Sequence, residues 1–553
     1  MKGTVLRGSL SGGFDVRLSI GENIEDIKVG TFCVVEGKRY DFFSMVVDEE
    51  IEATNPQVLY ETFSDNSLID EIIMGTGVIE KVKVQPMVMI DKLEGGIRPV
   101  KSIPSHMSPV REAIDEDVFA IFGEPDDEEH FYVGSPLDME DIPLCISLDR
   151  FIERSNGIFG KSGTGKTFYT RIMLCGMIKS QKANVLVFDV HNEYGWKGSS
   201  EEGSEVKGLK QLFGSQVAIF TLDEESSKNR GVRADFVVEI PYKAIEPGDI
   251  ALAWEELNLN PTALESIYIL QRYLGTNWLL DFLKMDVQDI KDLTEEINAN
   301  QASLQALQRK LMMLERLPFI KENPADDAVK RIMEYLDNGI NVVLEFGRYQ
   351  NNMLAYLLVA NILTRRIHGR YVTRSERAQA GKGEMNKPLV IVIEEAHKFL
   401  SPELSNQTIF GMIAREMRKN NVTLLVVDQR PSGIDPEVQS QLGTKIIALL
   451  TDEKDIEAAL SGSSNARMLR NVLASLETKR QAIILGHAVP MPVVIRTREY
   501  DFEFYEDMTD GLATGGGDFT GKKFLDDMKE YLEEEGDIHV DVSDVDEIEE
   551  LFK

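Results

Sequence analysis

The sequence predicts an α/β fold: a parallel β-sheet with crossover helices, entered through a small β-barrel and interrupted by a helical bundle. Three observations predict it. Over residues 151–250, and again over 337–500, apolar runs alternate with turns and amphipathic stretches, as where Ser155 to Phe159 is followed by GKSGTGKT, FYTRIMLCGMIKS and ANVLVFDV. Alternation of this kind builds parallel sheets with crossover helices. Over 251–336 it stops, and Leu304, Leu307, Leu311, Leu314 and Leu317 share one face of a helical periodicity. Ahead of both, residues 1–95 carry short runs such as TFCVVEG, YDFFSMVV and KVKVQPMVMI, set off by Gly, Asn and Pro, which is the pattern of a small β-barrel or sandwich.

The remaining segments follow in order. Residues 96–150, rich in Pro and acid (SIPSHMSPV, GEPDDEEH), read as a connecting segment. Strand runs resume at NVVLEF and continue through LVIVIEEAH, VTLLVVDQR, KIIALL, QAIILG and PVVIRT. Residues 501–553 hold 19 acidic and 4 basic residues; such a segment is either solvated or a handle for a basic partner. At 553 residues the whole is too long for a single core.

Charge and composition exclude several classes. A net charge of -33 rules out a protein that coats nucleic acid with its whole surface, though DNA in a local basic channel remains compatible. The longest uncharged apolar run, Met353 to Leu363, is too short to cross a bilayer, and the N-terminus lacks a signal-peptide core. Cys33, Cys145 and Cys175 lie far apart without metal-ligand spacing, which fits packed thiols in a reducing cytoplasm.

Chemistry concentrates in four places. Gly160-Lys161-Ser162-Gly163-Thr164-Gly165-Lys166-Thr167 matches G-x-x-x-x-G-K-[ST] after an apolar strand and before a helix. Its glycines let backbone N–H groups turn around phosphate oxygens at a helix N-terminus, Lys166 reaches the β- and γ-phosphates, and Thr167 offers a hydroxyl to Mg²⁺. The run LVIVI ends in Glu394 and Glu395, an acidic strand end of Walker B type with Glu in place of the more usual Asp. Glu394 is expected to hold the Mg²⁺ shell through water and Glu395 to activate the attacking water, so ATP hydrolysis is expected. Asp189 and Glu193 follow the strand after the phosphate-binding helix and are expected in the same polar site, whereas His191 reads as a loop or core histidine. Gln429, at the end of VTLLVVDQR, is placed to sense the γ-phosphate. In the preceding AREMRK stretch Arg415, then Arg418, is the choice for an arginine supplied across a subunit boundary; ordinary surface arginines are the competing reading. Residues 365–387 hold seven basic and two acidic residues, a candidate phosphate-contacting loop with Arg370, Arg374 and Arg377.

Taken together, GKSGTGKT, FDVHNEY, IEEAHKFL, AREMRK, DQRP and the closing AIILG and PVVIRT strands resemble the HerA family of the HerA–FtsK group over about 150–500. The resemblance implies a RecA-like P-loop NTPase core carrying the helical insertion, an N-terminal β-barrel, and a homo-hexameric ring with ATP between subunits and double-stranded DNA in the centre. It also implies work with a nuclease of NurA type in DNA end processing, or with a Sir2-like or other effector in phage defence. By position, it implies that Lys166 and Thr167 bind phosphate and Mg²⁺, Glu395 is the catalytic carboxylate, Gln429 the sensor and Arg415 or Arg418 the finger. The chain departs from the family at Asp428, where Ser is common, and at Asn156, where His is common. The second functional reading is a regulatory ring ATPase that scaffolds and switches a defence effector with little translocation. A conjugation-type ATPase at a membrane lacks an anchor.

Overall fold

A computed structural model of the chain describes residues 1–510 except residues 20, 54–77, 126, 138, 200–204, 417–418, 464–465 and 478. It forms two compact units, Met1–Asp501 and Phe502–Lys553. The described part of the second is the helix Phe502–Asp510; the rest of the acidic segment lies outside the described residues.

The first unit opens with a closed barrel. Strands Gly13–Leu18, Gly3–Ser9, Pro109–Glu112, Phe32–Glu36, Tyr40–Ala53 and Val78–Asp91 pair in that order, and Val78–Asp91 pairs back onto Gly13–Leu18. Alternate residues point inward, so Val5, Phe14, Val16, Val35, Phe42, Val82 and Val84 fill the interior. The barrel therefore does not end at 95. Its wall is completed by Pro109–Glu112, a strand of four residues inside the segment that the sequence presents as a connection. That segment also supplies His130–Pro136 and Leu144–Ser147, which join the main sheet.

Among the described residues the main sheet has twelve strands. Eight are parallel, in the order Phe236–Val237, Val217–Thr221, Asn341–Glu345, Asn184–Asp189, Leu389–Glu394, Val422–Asp428, Asn156–Phe159 and Thr444–Ala448. Gln481–Gly486, Val493–Thr497, His130–Pro136 and Leu144–Ser147 extend it in antiparallel fashion. The central parallel strands are wholly buried, as Leu389–Glu394 and Val422–Asp428 show, which explains their unbroken apolar runs. Asn156 anchors the sheet where its strand begins: its amide donates to the carbonyls of Phe151 and Arg154, and its oxygen accepts from the Thr444 amide.

The inserted helices run from Pro247–Leu252 through Ala328–Asp337. Leu304, Leu307, Leu311, Leu314 and Leu317 are buried, and Gln308 crosses their core to donate to the carbonyls of Phe282 and Met285. Asp249 ties the insertion to the long helix Met353–Gln379 by accepting from Asn361 at 2.7 Å and from Arg365 at 2.8 Å. The basic run 365–387 is thus not a loop in its first half. The helix continues through Gln379, and its arginines meet acids: Arg366 and Arg370 face Asp327, and Arg374 pairs with Asp337 through both terminal guanidinium nitrogens. Among the described residues no helix is long and apolar enough to cross a membrane, and the three cysteines are free and buried.

Candidate active site

The site stands at the carboxyl ends of the parallel strands, where such sheets place ligands. The phosphate-binding strand Asn156–Phe159 and the acidic strand Leu389–Glu394 are not neighbours. Val422–Asp428 pairs with both, so the segment Asp428–Gln429 falls between the P-loop and the acids. Chain order alone does not disclose this.

From Gly160 the chain turns into the helix Lys166–Ser180, whose N-cap Gly165 sits at φ 89°, with Gly163 at φ 77°. Side-chain-bearing residues avoid both values, so glycine is required if the amides are to face a phosphate. Ser162, Gly163, Gly165, Lys166 and Thr167 line a cavity of about 450 Å³. Gly160 and Thr164 do not. They lie behind the loop, where Thr164 donates to the Lys161 carbonyl at 2.7 Å and a Cβ on Gly160 would strike the Thr164 hydroxyl at 2.6 Å. Lys166 Nζ donates to the Lys161 carbonyl at 2.9 Å. Burial lowers its pKa, against the pull of Glu395, Asp428 and Glu394.

Glu394, Glu395 and Gln429 line the same cavity. Two phenols hold Glu394. Tyr356, from the long helix, accepts from its backbone N–H and donates to its carbonyl, while Tyr194 donates to Oε1 at 2.9 Å. Oε2 is buried with no partner. Burial, then the charge of Asp189, pushes the Glu394 carboxyl up to about 8, so the site favours a cation that would let it ionise. An unpartnered carboxylate oxygen with the Thr167 hydroxyl in the same cavity makes an all-oxygen donor set that suits Mg²⁺. Glu395 adopts a left-handed backbone (φ 47°) and accepts from Gln429 Nε2 at 3.1 Å.

Asp189 plays a different part from the one expected. Wholly buried and absent from the cavity wall, it accepts from the amides of Glu193, Tyr194 and Gly195 with its two oxygens. It shapes the turn that puts Glu193 and His191 on the wall and Tyr194 on Glu394. Burial and the neighbouring Glu345 push its carboxyl up to about 7, against those three N–H groups. Arg415, expected as a finger, is held inside its own chain. Its guanidinium donates to the Ser405 carbonyl and hydroxyl and pairs with Glu437, so its donors are engaged within its own subunit. Arg418 lies outside the described residues. Sequence reasoning passed over Tyr194, Tyr356, His397 and Phe168; only Phe168, directly after Thr167, had a positional cue.

The chain is similar to known proteins along most of its length. The family model "Helicase HerA, central domain" matches residues 131–367, beginning within the strand His130–Pro136. The DNA double-strand break repair helicase HerA of Sulfolobus acidocaldarius is 26% identical over 82% of this chain and 83% of its own length. The protein of the same name from Sulfurisphaera tokodaii is 24% identical over 81% and 84%, and that of Pyrococcus furiosus 22% identical over 86% and 87%. Among solved structures, VirB4 of Thermoanaerobacter pseudethanolicus aligns with a TM-score of 0.44 at 14% identity, over 68% of this chain and 99% of that one. The plasmid coupling protein TrwB aligns with a TM-score of 0.43 at 12% identity, over 65% and 88%. With a P-loop and an acid pair facing one cavity, this chain is an ATP-hydrolysing enzyme that is similar over most of its length to HerA helicases and carries a HerA central-domain match over residues 131–367.

Proposed function

We propose that this chain is the subunit of a ring-shaped, ATP-driven translocase on double-stranded DNA that works with a nuclease or other effector protein. The observation that carries this reading is the shared cavity of Lys166, Thr167, Glu394, Glu395 and Gln429. Lys166 and the loop amides would bind the β- and γ-phosphates, and Thr167, with Glu394 through water, would hold Mg²⁺, which would supply charge neutralisation. Glu395 takes the proton of the attacking water, and Gln429 fixes that carboxylate and the water beside it.

A ring is supported by what the wall lacks. Lys166 is the one Lys or Arg among the described residues lining the cavity, so transition-state charge on the γ-phosphate calls for an arginine from a neighbouring subunit. The DNA substrate rests on the HerA helicases that the chain resembles. Native mass measurement with and without ATP tests the ring, and a persistent monomer would overturn it. Duplex-stimulated ATP turnover with displacement of a protein roadblock tests translocation.

One observation favours the second reading, a ring ATPase that switches an effector with little movement on DNA. Arg366, Arg370 and Arg374 spend their charge on Asp327 and Asp337. ATP turnover indifferent to DNA but altered by a bound effector would select that reading.

A further inference from the structure

Asp428 ends the strand between the P-loop strand and the acidic strand, and its side chain is wholly buried. Three N–H groups converge on it. Oδ2 accepts from the backbone amide of His397 at 2.7 Å, Oδ1 accepts from the amide of Arg430 at 2.7 Å, and His397 Nδ1 lies 3.0 and 3.2 Å from the two oxygens. The backbone carbonyl of Asp428 also accepts from the Gly160 amide at 3.3 Å. One residue therefore joins the start of the P-loop, the turn after the acids and the turn that carries Gln429.

That turn is strained at the residue that matters. Glu395 holds φ 47°, which a side-chain-bearing residue keeps only when its surroundings over-determine it. Tyr356 fixes the backbone of Glu394 on one side, and Asp428 fixes the amide of His397 on the other. The Glu395 carboxylate is bracketed likewise, with Gln429 Nε2 3.1 Å from Oε1 and His397 Nδ1 3.6 Å from Oε2. The ligand atoms of Glu395, His397 and Asp428 lie within 4.8 Å of one another. A cation there would have to displace N–H donors from both oxygens of Asp428, so the cluster is a hydrogen-bonded support and not a metal site. A serine hydroxyl at 428 would carry neither the charge nor the second oxygen that these three donors use.

We infer that Asp428, acting through His397, is a positioning residue for the hydrolytic step: it holds Glu395 in its left-handed turn with the carboxylate set against Gln429. The inference rests on the reading of Glu395 as the group that activates water. Nucleotide affinity comes from the P-loop amides and Lys166, so loss of the support should appear in kcat and not in binding.

The test compares steady-state ATP hydrolysis with equilibrium binding of Mg²⁺·mant-ADP in the full chain, for the parent, Asp428→Asn, His397→Leu, His397→Asn and Glu395→Gln. Asp428→Asn should lower kcat by roughly tenfold or more, as misplacement of a catalytic group does, with KM and mant-ADP affinity unchanged. His397→Asn, whose amide can replace the Nδ1–H, should retain more of kcat than His397→Leu. Combining Asp428→Asn with Glu395→Gln should cost no more than Glu395→Gln alone. Parental kcat in Asp428→Asn beside an inactive Glu395→Gln overturns the inference alone, as does a parallel fall of kcat and mant-ADP affinity. Brisk hydrolysis by Glu395→Gln instead removes the underlying reading. If Asp428→Asn fails to fold by circular dichroism, the partly exposed His397 carries the test through its Leu and Asn variants, and equal kcat in those two overturns the inference.

Discussion

The phenol of Tyr194 donates to Oε1 of Glu394 across 200 positions of sequence, while Oε2 of the same carboxylate is buried without a partner. The protein thus fixes one oxygen and leaves the other unpartnered, an arrangement that would suit a cation. Asp189 makes this possible by tying the turn that carries Tyr194. The acid expected among the catalytic groups acts one step behind them.

Tyr194→Phe is accordingly expected to raise the Mg²⁺ concentration needed for half-maximal turnover severalfold. Stability should fall by about 1–3 kcal/mol, because a buried carboxylate oxygen loses its hydrogen-bond donor. Titrating Mg²⁺ at fixed ATP checks the first effect and chemical denaturation the second. An unchanged Mg²⁺ requirement would reduce Tyr194 to a packing residue.

Local signals carried the sequence reading far. The glycines before Lys166 and the acids after LVIVI are legible because the physical demand, a left-handed turn or a charge at the end of a buried strand, falls on adjacent residues. Tyr356 and His397 are not legible, since their partners lie 38 and 31 positions away and no spacing encodes a contact between elements. Pro109–Glu112 escapes because four residues are too few to show a period of two. The basic run looks like a loop because its charge is conspicuous, while the acids that neutralise Arg366 and Arg374 cap and end the inserted helix Ala328–Asp337.

Arg415 offers a direct contrast between a finger and a brace. Its guanidinium donates to the Ser405 carbonyl and hydroxyl, joining the turn after the acids to the helix Ile409–Arg415. Arg415→Ala should therefore lower the stability of nucleotide-free protein by about 1–3 kcal/mol through the unpaired groups left behind. A residue acting only across a subunit boundary would leave that midpoint in place, so thermal unfolding without nucleotide decides between the roles.

Lys445 gives the clearest pH dependence. It is 2% exposed on the strand beside the P-loop strand, its Nζ donates to the Ser461 carbonyl, and burial pushes its pKa down from 10.5 to about 8. Below pH 8 both the folded and unfolded chains carry the proton, and the folded chain bears the full cost of burying the charge, on the order of 3 kcal/mol. Between 8 and 10.5 the folded chain binds fewer protons than the unfolded one, so stability rises with pH. Lys445→Met should be more stable than the parent at pH 7, and its advantage should shrink as pH rises towards 10.5. Denaturation midpoints of the two proteins across that range check the sign, and a gap that stays constant would show that the buried amine does not titrate there.

The arginines of the helix Met353–Gln379 separate by partner, and that separation predicts how each would act on DNA. Arg374 is held by both oxygens of Asp337 and would have to give up an ion pair to meet a phosphate. Arg377, one turn later, is exposed and makes no ion pair among the described residues. A phosphate contact contributes roughly 0.9 to the slope of log K against log salt for duplex DNA. Arg377→Ala should therefore reduce that slope by about one contact's worth, whereas Arg374→Ala should leave it nearly unchanged and show its effect in stability. Fluorescence anisotropy of a labelled duplex over a salt series measures both. Equal slopes for the parent and Arg377→Ala would remove this helix from the DNA path and strengthen the reading in which the ring acts on a protein partner.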